Sequence, residues 1–356
     1  MASTARTITL RPSGNTFEVA PGEPILGAAI HAGLNVPYSC KNGICRGCRA
    51  RVRDGVIDHC DTSFGYLSQL ERDEGYALLC RAHAETDCEI EVEELDELNG
   101  IRARVVPCRV LGMDKRAPDV MVLRLRLPMN ENMRFLAGQY VDILMSDGRR
   151  RSYSIANDPG IEGVIEIELH VRLVPGGAFT EHVFNSMKVR DLIRFEGPLG
   201  SFHLRESSDK PILMLASGTG IAPIKGMLAH ALRKQIHRKR SITVYWGGRT
   251  RADLYLLDEL TDLARSNPGL SFVPVLSEPT AACGWTGRTG FVHSALMEDC
   301  TASLAGSQVY ACGAPVMVEA ARSDFVETCG LPEDEFFADS FISEGDRALA
   351  TAKEAS

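Results

Sequence analysis

Apolar and polar residues alternate through "TITLRPSGNTFEVAPGEPILGAAIHAGLNVPYSC" in a pattern that predicts a strand, a turn, a second strand, a short helix and then a loop. From about Arg102 to Glu206 the text changes to short strands such as "VMVLRLRLP", "QYVDILM" and "GVIEIELHVRLV", separated by Gly, Pro and Asp turns, which predicts a small antiparallel barrel. The last third changes period again. "KPILMLASGTGIAPIKGMLAHAL" predicts a buried strand, a glycine turn and an amphipathic helix, and two further repeats, "SITVYWGGRTRADLYLLDEL" and "VYACGAPVMVEAARSDFV", predict an open parallel sheet. Between the first two regions, "EELDELNGIRA" supplies acidic residues and then Asn99 and Gly100, the composition of a linker.

With 356 residues, the chain is too long for one core. The expected domains are 1–97, 98–206 and 207–344, followed by a tail over 345–356. An apolar content of 44% and a charged content of 24% fit globular domains rather than disorder. The longest apolar region, Ile212 to Leu232, is broken by Gly218, Gly220, Pro223 and Lys225, so no membrane span is expected. The N-terminus lacks the apolar stretch of a secretion signal, and a cytoplasmic location is expected. A net charge of -8 disfavours nucleic acid as a partner.

Eleven cysteines change this picture, because three of them crowd into "YSCKNGICRGC". Cys40, Cys45 and Cys48 are spaced C-x4-C-x2-C, and Cys80 follows in "YALLCRA"; this is the plant-type [2Fe-2S] ligand spacing. Gly43 and Gly47 are expected to let the loop curl around a cluster. A structural zinc site draws its ligands as two close pairs, and only Cys45 and Cys48 form one here. Arg46 is expected to put a positive charge beside the cluster, raising its potential or docking an acidic partner. Cys60 and Cys88 match no ligand position and are taken as structural. The segment resembles the β-grasp ferredoxin domain of reductases.

In the middle region "GRRRSYSIAND" brings Arg151, Tyr153 and Ser154 onto one strand. A forked cation for pyrophosphate, a ring for stacking and a hydroxyl near N5 are the groups a flavin nucleotide uses, although a plain basic edge strand also accounts for them. The R-x-Y-S motif resembles the flavin site of the ferredoxin-NADP reductase superfamily. That resemblance implies a phosphate-binding turn in "HVRLVPGGAFT", with Gly176 and Gly177 approaching the diphosphate, Thr180 capping the next helix and bonding an oxygen, and His170 and Arg172 as second contacts.

"GTGIAP", "GGRTRADLY" and "CGAPVM" all fall at carboxyl ends of expected strands, where open α/β sheets bind ligands. Gly218, Thr219 and Gly220 are expected to offer amides to a dinucleotide's phosphates. Arg249 and Arg251 suit a 2′-phosphate, whereas Asp253 repels one and suits a ribose hydroxyl, which favours NADH over NADPH. By resemblance to the same superfamily, Cys312 and Gly313 stand beside the nicotinamide during hydride transfer. Phe337 or Phe341, in "EFFADSF", covers the flavin where plant-type members use a tyrosine.

The expected architecture is therefore multidomain: a β-grasp ferredoxin domain, an antiparallel β-barrel FAD domain and an α/β parallel-sheet NAD(P)-binding domain. A nicotinamide gives up electrons in pairs, an iron–sulfur cluster takes them singly, and flavin does both, so the expected path runs from NADH to FAD to [2Fe-2S] to an outside acceptor. The order resembles single-chain reductase components of bacterial oxygenases, which implies an oxygenase as partner. "VPVLSEP" and "WTGRTGFVH", with the stretches quoted above, look closest to CDP-6-deoxy-glucoseen reductases, which donate electrons to a pyridoxamine-dependent dehydrase. A redox sensor or zinc-binding adaptor is the alternative of another class, and it predicts a colourless protein.

Overall fold

The structure is a computed structural model, described for residues 5–300 and 303–341. The expected tail at 345–356 and the end of the third expected domain, 342–344, lie outside the described residues. The chain divides into two compact units: Met1–Ile101 with Gly200–Phe202, and Arg102–Leu199 with His203–Ser356.

In the first unit a five-stranded sheet runs in the order Thr16–Val19, Arg6–Arg11, Cys88–Glu91, Arg49–Asp54, Tyr76–Leu78. Alternation explains its first hairpin: Ile8, Leu10, Phe17 and Val19 turn inward while the residues between them stay wet. The helix Ile25–His31 buries Ile25, Leu26, Ala28 and Ala29, and the cysteine loop follows it.

In the second unit six antiparallel strands run in the order Arg150–Ser154, Tyr140–Leu144, Leu192–Leu199, Arg104–Ala117, Val120–Arg126, Glu166–Arg172. An antiparallel bridge between Ile155 and Leu169 joins the two edges, so the sheet closes as a barrel around Leu123, Leu125, Val141, Ile167 and Phe195. Closure leaves the outer face of Glu166–Arg172 to polar residues, since Ile167, Leu169 and Val171 point into the core.

The same unit holds a six-stranded parallel sheet in the order Arg288–Thr289, Leu270–Leu276, Ile242–Gly248, Ile212–Ser217, Gln308–Gly313, Phe336–Ser340. The chain starts in the middle at Ile212–Ser217, works outward on one side and returns to the other. The order therefore reverses between Ile242–Gly248 and Gln308–Gly313, and the crevice beyond that switch point is where such sheets take ligands. Among the described residues no helix is long and apolar enough to cross a membrane.

Candidate active site

The loop carrying Cys40, Cys45 and Cys48 wraps its own backbone around sulfur. Asn42 N and Cys45 N point at Cys40 Sγ from 3.3 and 3.4 Å, while Cys40 N and Gly47 N point at Cys45 Sγ from 3.4 and 3.5 Å. Gly43 does supply left-handed backbone, at φ 77°, but the other two such positions in the loop fall to Lys41 and Arg46. Gly47 is not among them, so its permissive backbone is not what the loop uses.

Cys40 and Cys45 each receive the other's backbone amide at sulfur, and Cys48 and Cys80, both buried, come together where Leu79 N bonds the Cys48 carbonyl at 3.1 Å. The bond from Cys45, helped by backbone amides, brings the Cys40 thiol down to about 7, while the bond to Cys40 and burial push Cys45 up. Among the described residues no three or more His, Cys, Asp or Glu side chains gather as ligands of one metal ion. Two pairs of thiols fit instead a cluster of two irons, each held by two cysteines.

Arg46 departs from its expected role. Its side chain is 8% exposed, the guanidinium donates to Glu71 Oε1 at 2.5 Å and to the Tyr66 carbonyl at 2.9 Å, and Arg49 Nε adds a bond to Glu71 at 3.1 Å. Burial works to raise the Glu71 carboxyl, but the bonds from Arg46 and Ser68 hold it down at about 2. The Arg46 charge is thus neutralised inside the domain and is not presented to a partner. Cys88 is buried in the sheet, as a structural thiol should be; Cys60 is exposed, with Sγ 3.3 Å from His83 Nδ1, so core filling does not describe it.

On the barrel strand Arg150–Ser154, Arg151 and Tyr153 share a face and pair with Ile143 and Val141. The Tyr153 ring packs 5.3 Å from Phe179, the second residue of the helix Ala178–Asn185, which brings the tyrosine beside the Gly176–Gly177 turn. Burial pushes the Tyr153 hydroxyl well above its usual range. Ser154 Oγ is buried and has no hydrogen-bond partner among the described residues. A hydroxyl left so costs free energy until something meets it, and a flavin nitrogen at this strand end would do so.

Four expected flavin contacts turn out to be engaged within the protein. Thr180 Oγ1 bonds Val174 N and O and the Gly177 carbonyl at 3.0–3.1 Å, so it pins the glycine turn rather than facing a ligand oxygen. Gly176, at φ 76°, gives its amide to Glu181 Oε1 at 2.7 Å. His170 has both ring nitrogens bonded, to Glu168 at 3.0 Å and Tyr255 at 2.8 Å, and Arg172 pairs with Asp119 and Asp253 at 3.3 Å.

The strand-end crevice is built from backbone. Gly218, Thr219 and Gly220 form a single turn leading into the helix Ile221–Arg233, with Gly218 at φ 54°. A Cβ on Gly220 would lie 2.1 Å from the Cys312 carbonyl, and one on Gly313, at φ 141°, would lie 2.2 Å from Ser217 Oγ. Ser217 also accepts the Ala314 amide at 3.0 Å. The two glycine loops thus touch without room for side chains, leaving a bare edge suited to the close approach of a dinucleotide. Cys312 is fully buried, and burial with the nearby Asp339 keeps its thiol protonated.

Of the two phenylalanines, Phe337 is half-buried and stacks on Tyr310 at 4.9 Å beneath the Arg205 guanidinium, so it is engaged within the strand rather than at its end. Phe341 follows the strand at its carboxyl end, its amide bonded to the Gly313 carbonyl at 2.9 Å. Asp253 accepts from Thr250 N at 2.9 Å and pairs with Arg172, while Arg249 and Arg251 are exposed. Ser217, Trp246 and Tyr255 were not singled out by sequence reasoning. Only Ser217 carried a signal, its place directly before the glycine turn.

A two-iron thiol site and a barrel-plus-parallel-sheet unit with a bare glycine crevice define a nicotinamide- and flavin-linked iron–sulfur oxidoreductase. Comparison with known proteins agrees region by region: residues 8–85 match the 2Fe-2S iron-sulfur cluster binding domain, 107–204 the oxidoreductase FAD-binding domain and 214–323 the oxidoreductase NAD-binding domain. The chain belongs to the family of single-chain reductases that join these three domains in this order. It is 39% identical over 335 residues to the CDP-6-deoxy-L-threo-D-glycero-4-hexulose-3-dehydrase reductase of Yersinia pestis, covering 94% of this chain and 98% of that one. It is 31% identical over 351 residues to the phenol hydroxylase P5 protein of Acinetobacter pittii, covering 98% of each. The crystal structure of the Amycolatopsis cytochrome P450 reductase GcoB superposes with a TM-score of 0.74 at 33% identity, over 94% of this chain and 98% of that one. The cofactors of the family, a [2Fe-2S] cluster, FAD and a nicotinamide dinucleotide, are those for which this chain carries domains.

Proposed function

We propose that the chain is the reductase component of an oxygenase system, taking electrons from NADH and delivering them singly to a partner oxygenase. The observation that carries this reading is the gathering of four cysteines in a 2Fe-2S domain, hence one-electron output, in a chain whose other unit is built for two nucleotides. When bound, the flavin exchanges electrons both in pairs and singly and so joins the dinucleotide to the cluster.

Within this reading Cys40, Cys45, Cys48 and Cys80 hold the irons. Arg151 meets the flavin pyrophosphate, Tyr153 lies against the ring system and Ser154 gives its partnerless hydroxyl to N5. The Gly218–Gly220 turn receives the dinucleotide phosphates, Gly313 lets the nicotinamide approach, and Phe341, beside Gly313, covers the flavin. Cys312 acts through the backbone it anchors, since its thiol is buried. NADH rather than NADPH rests on the acidic charge of Asp253 alone. The seven cysteines other than these four ligands are free thiols, which supports a reducing, cytoplasmic location.

A second acceptor, a sugar dehydrase, is favoured by the 39% identity to the Yersinia reductase. The test supplies NADH or NADPH anaerobically to the purified brown-yellow protein together with each candidate acceptor. Reduction of an oxygenase supports the proposal, reduction of the dehydrase alone replaces it with the second reading, and a protein without iron–sulfur absorbance overturns both.

A further inference from the structure

The outer face of the barrel strand Glu166–Arg172 carries Glu168, His170 and Arg172 at alternate positions, and all three reach the parallel-sheet half of the same unit. Lys225, on the helix after the glycine turn, donates to Glu168 Oε1 at 2.9 Å. His170 stands between Glu168, at 3.0 Å, and the Tyr255 hydroxyl, at 2.8 Å. Burial lowers the His170 ring, while burial opposed by the bonds from His170 and Lys225 leaves Glu168 at about 2, so a neutral imidazole faces a carboxylate. A carboxylate only accepts; Nε2 therefore donates to Glu168, and Nδ1 accepts from Tyr255.

The chain of contacts continues. The Tyr255 ring meets Trp246 edge-on at 5.3 Å, and Trp246 Nε1 donates to the Gly218 carbonyl at 3.0 Å. Arg172, paired with Asp253, also lies against Gly218. A line of hydrogen bonds and one ring contact thus runs from the barrel strand to the Gly218–Gly220 turn.

We propose that Tyr255 and His170 are positioning residues, which fix the Gly218–Gly220 turn against the flavin barrel and so set the geometry of hydride transfer without touching either cofactor. The inference rests on the proposed reading of that turn as the site of the dinucleotide phosphates. The step it serves moves a hydride, two electrons with one proton, off the nicotinamide, which is oxidised, and onto the flavin, which is reduced. Displacements of about 1 Å at such a step cost on the order of a hundredfold in rate.

Tyr255→Phe keeps the ring on Trp246 and deletes only the donor, leaving His170 Nδ1 buried without a partner. In the holoprotein, flavin and iron contents are expected to match the wild type. The kcat for NADH-driven ferricyanide reduction should fall about tenfold while KM moves less than about twofold. Anaerobic titration should show a weaker long-wavelength charge-transfer band between reduced flavin and oxidised nicotinamide. His170→Leu should behave alike, and the double variant should be no worse than either single one, because the two act as one unit. Unchanged kcat and charge-transfer band, whatever happens to Tm, would overturn the inference; if Tyr255→Phe does not fold, His170→Leu is read by the same criteria. A wild-type protein whose flavin NADH does not reduce would sink the underlying reading instead.

Discussion

The cysteine loop and the strand-end crevice solve the binding problem with different atoms. In the loop the ligands are side chains, three of them within nine residues, and the backbone follows by pointing amides at sulfur. In the crevice the surface on offer is backbone amides and bare Cα atoms on separate loops, and side chains such as Ser217 and Trp246 hold those loops in place. A site made of side chains fails when one residue is deleted. A site made of backbone fails when something is added or when its supports shift, because its working parts have no side chain to lose.

Cys45→Ala gives the largest expected effect on the first kind of site. Removing one member of the Cys40–Cys45 pair should abolish iron–sulfur absorbance and NADH-driven cytochrome c reduction, while direct ferricyanide reduction at the flavin persists. Parallel spectra and steady-state assays check this. Equal loss of both activities would mean that electrons do not leave through the cluster.

The cysteine loop also has a support, and Glu71→Gln measures it. Glu71 bonds Arg46 and Arg49 and caps the helix Gln69–Asp73 through Ser68, so neutralising it strands a buried guanidinium and should cost about 2 kcal/mol in the holoprotein. The Glu71 carboxyl sits at about 2 in the folded protein against an ordinary 4.5. Being depressed on folding, it contributes stability that is fully present above the ordinary value and lost as pH falls toward the folded one. Urea unfolding should therefore show wild type and variant far apart at pH 7 and converging as pH drops below about 4.5. A gap that does not depend on pH would show that the carboxylate is not what holds the loop.

What the sequence made legible follows the same division. The four thiols were readable because thiolate chemistry sits in the letters and the spacing fixes the loop. The barrel and the parallel sheet were readable because alternation and buried runs report which face is wet. The engagement of Arg46 with Glu71, 25 positions away, was not readable, and neither was that of His170 with Tyr255, 85 positions away. Both partners come from chain crossings that no local pattern encodes, so charges that looked available are paired. The strands Leu270–Leu276 and Phe336–Ser340 extend the sheet beyond the expected strand-helix repeats, and only the latter shows which phenylalanine follows the strand end beside Gly313.

That last distinction supplies the smallest expected effect. Phe337 pairs in register with Tyr310, where its ring is stacked at an interplanar angle of 26°, and Phe341 lies one residue past the strand at Gly313. Aromatic pairs of this kind add about 1 kcal/mol beyond the area they bury. Phe337→Leu should thus lower stability by about that amount and leave flavin content and NADH kinetics unchanged, because the residue sits among packed side chains away from the strand end. Thermal unfolding with matched turnover assays separates the two readouts. If the leucine variant instead disturbs NADH kinetics at full stability, Phe337 is the one that senses the crevice, and the assignment of Phe341 to the flavin falls with it.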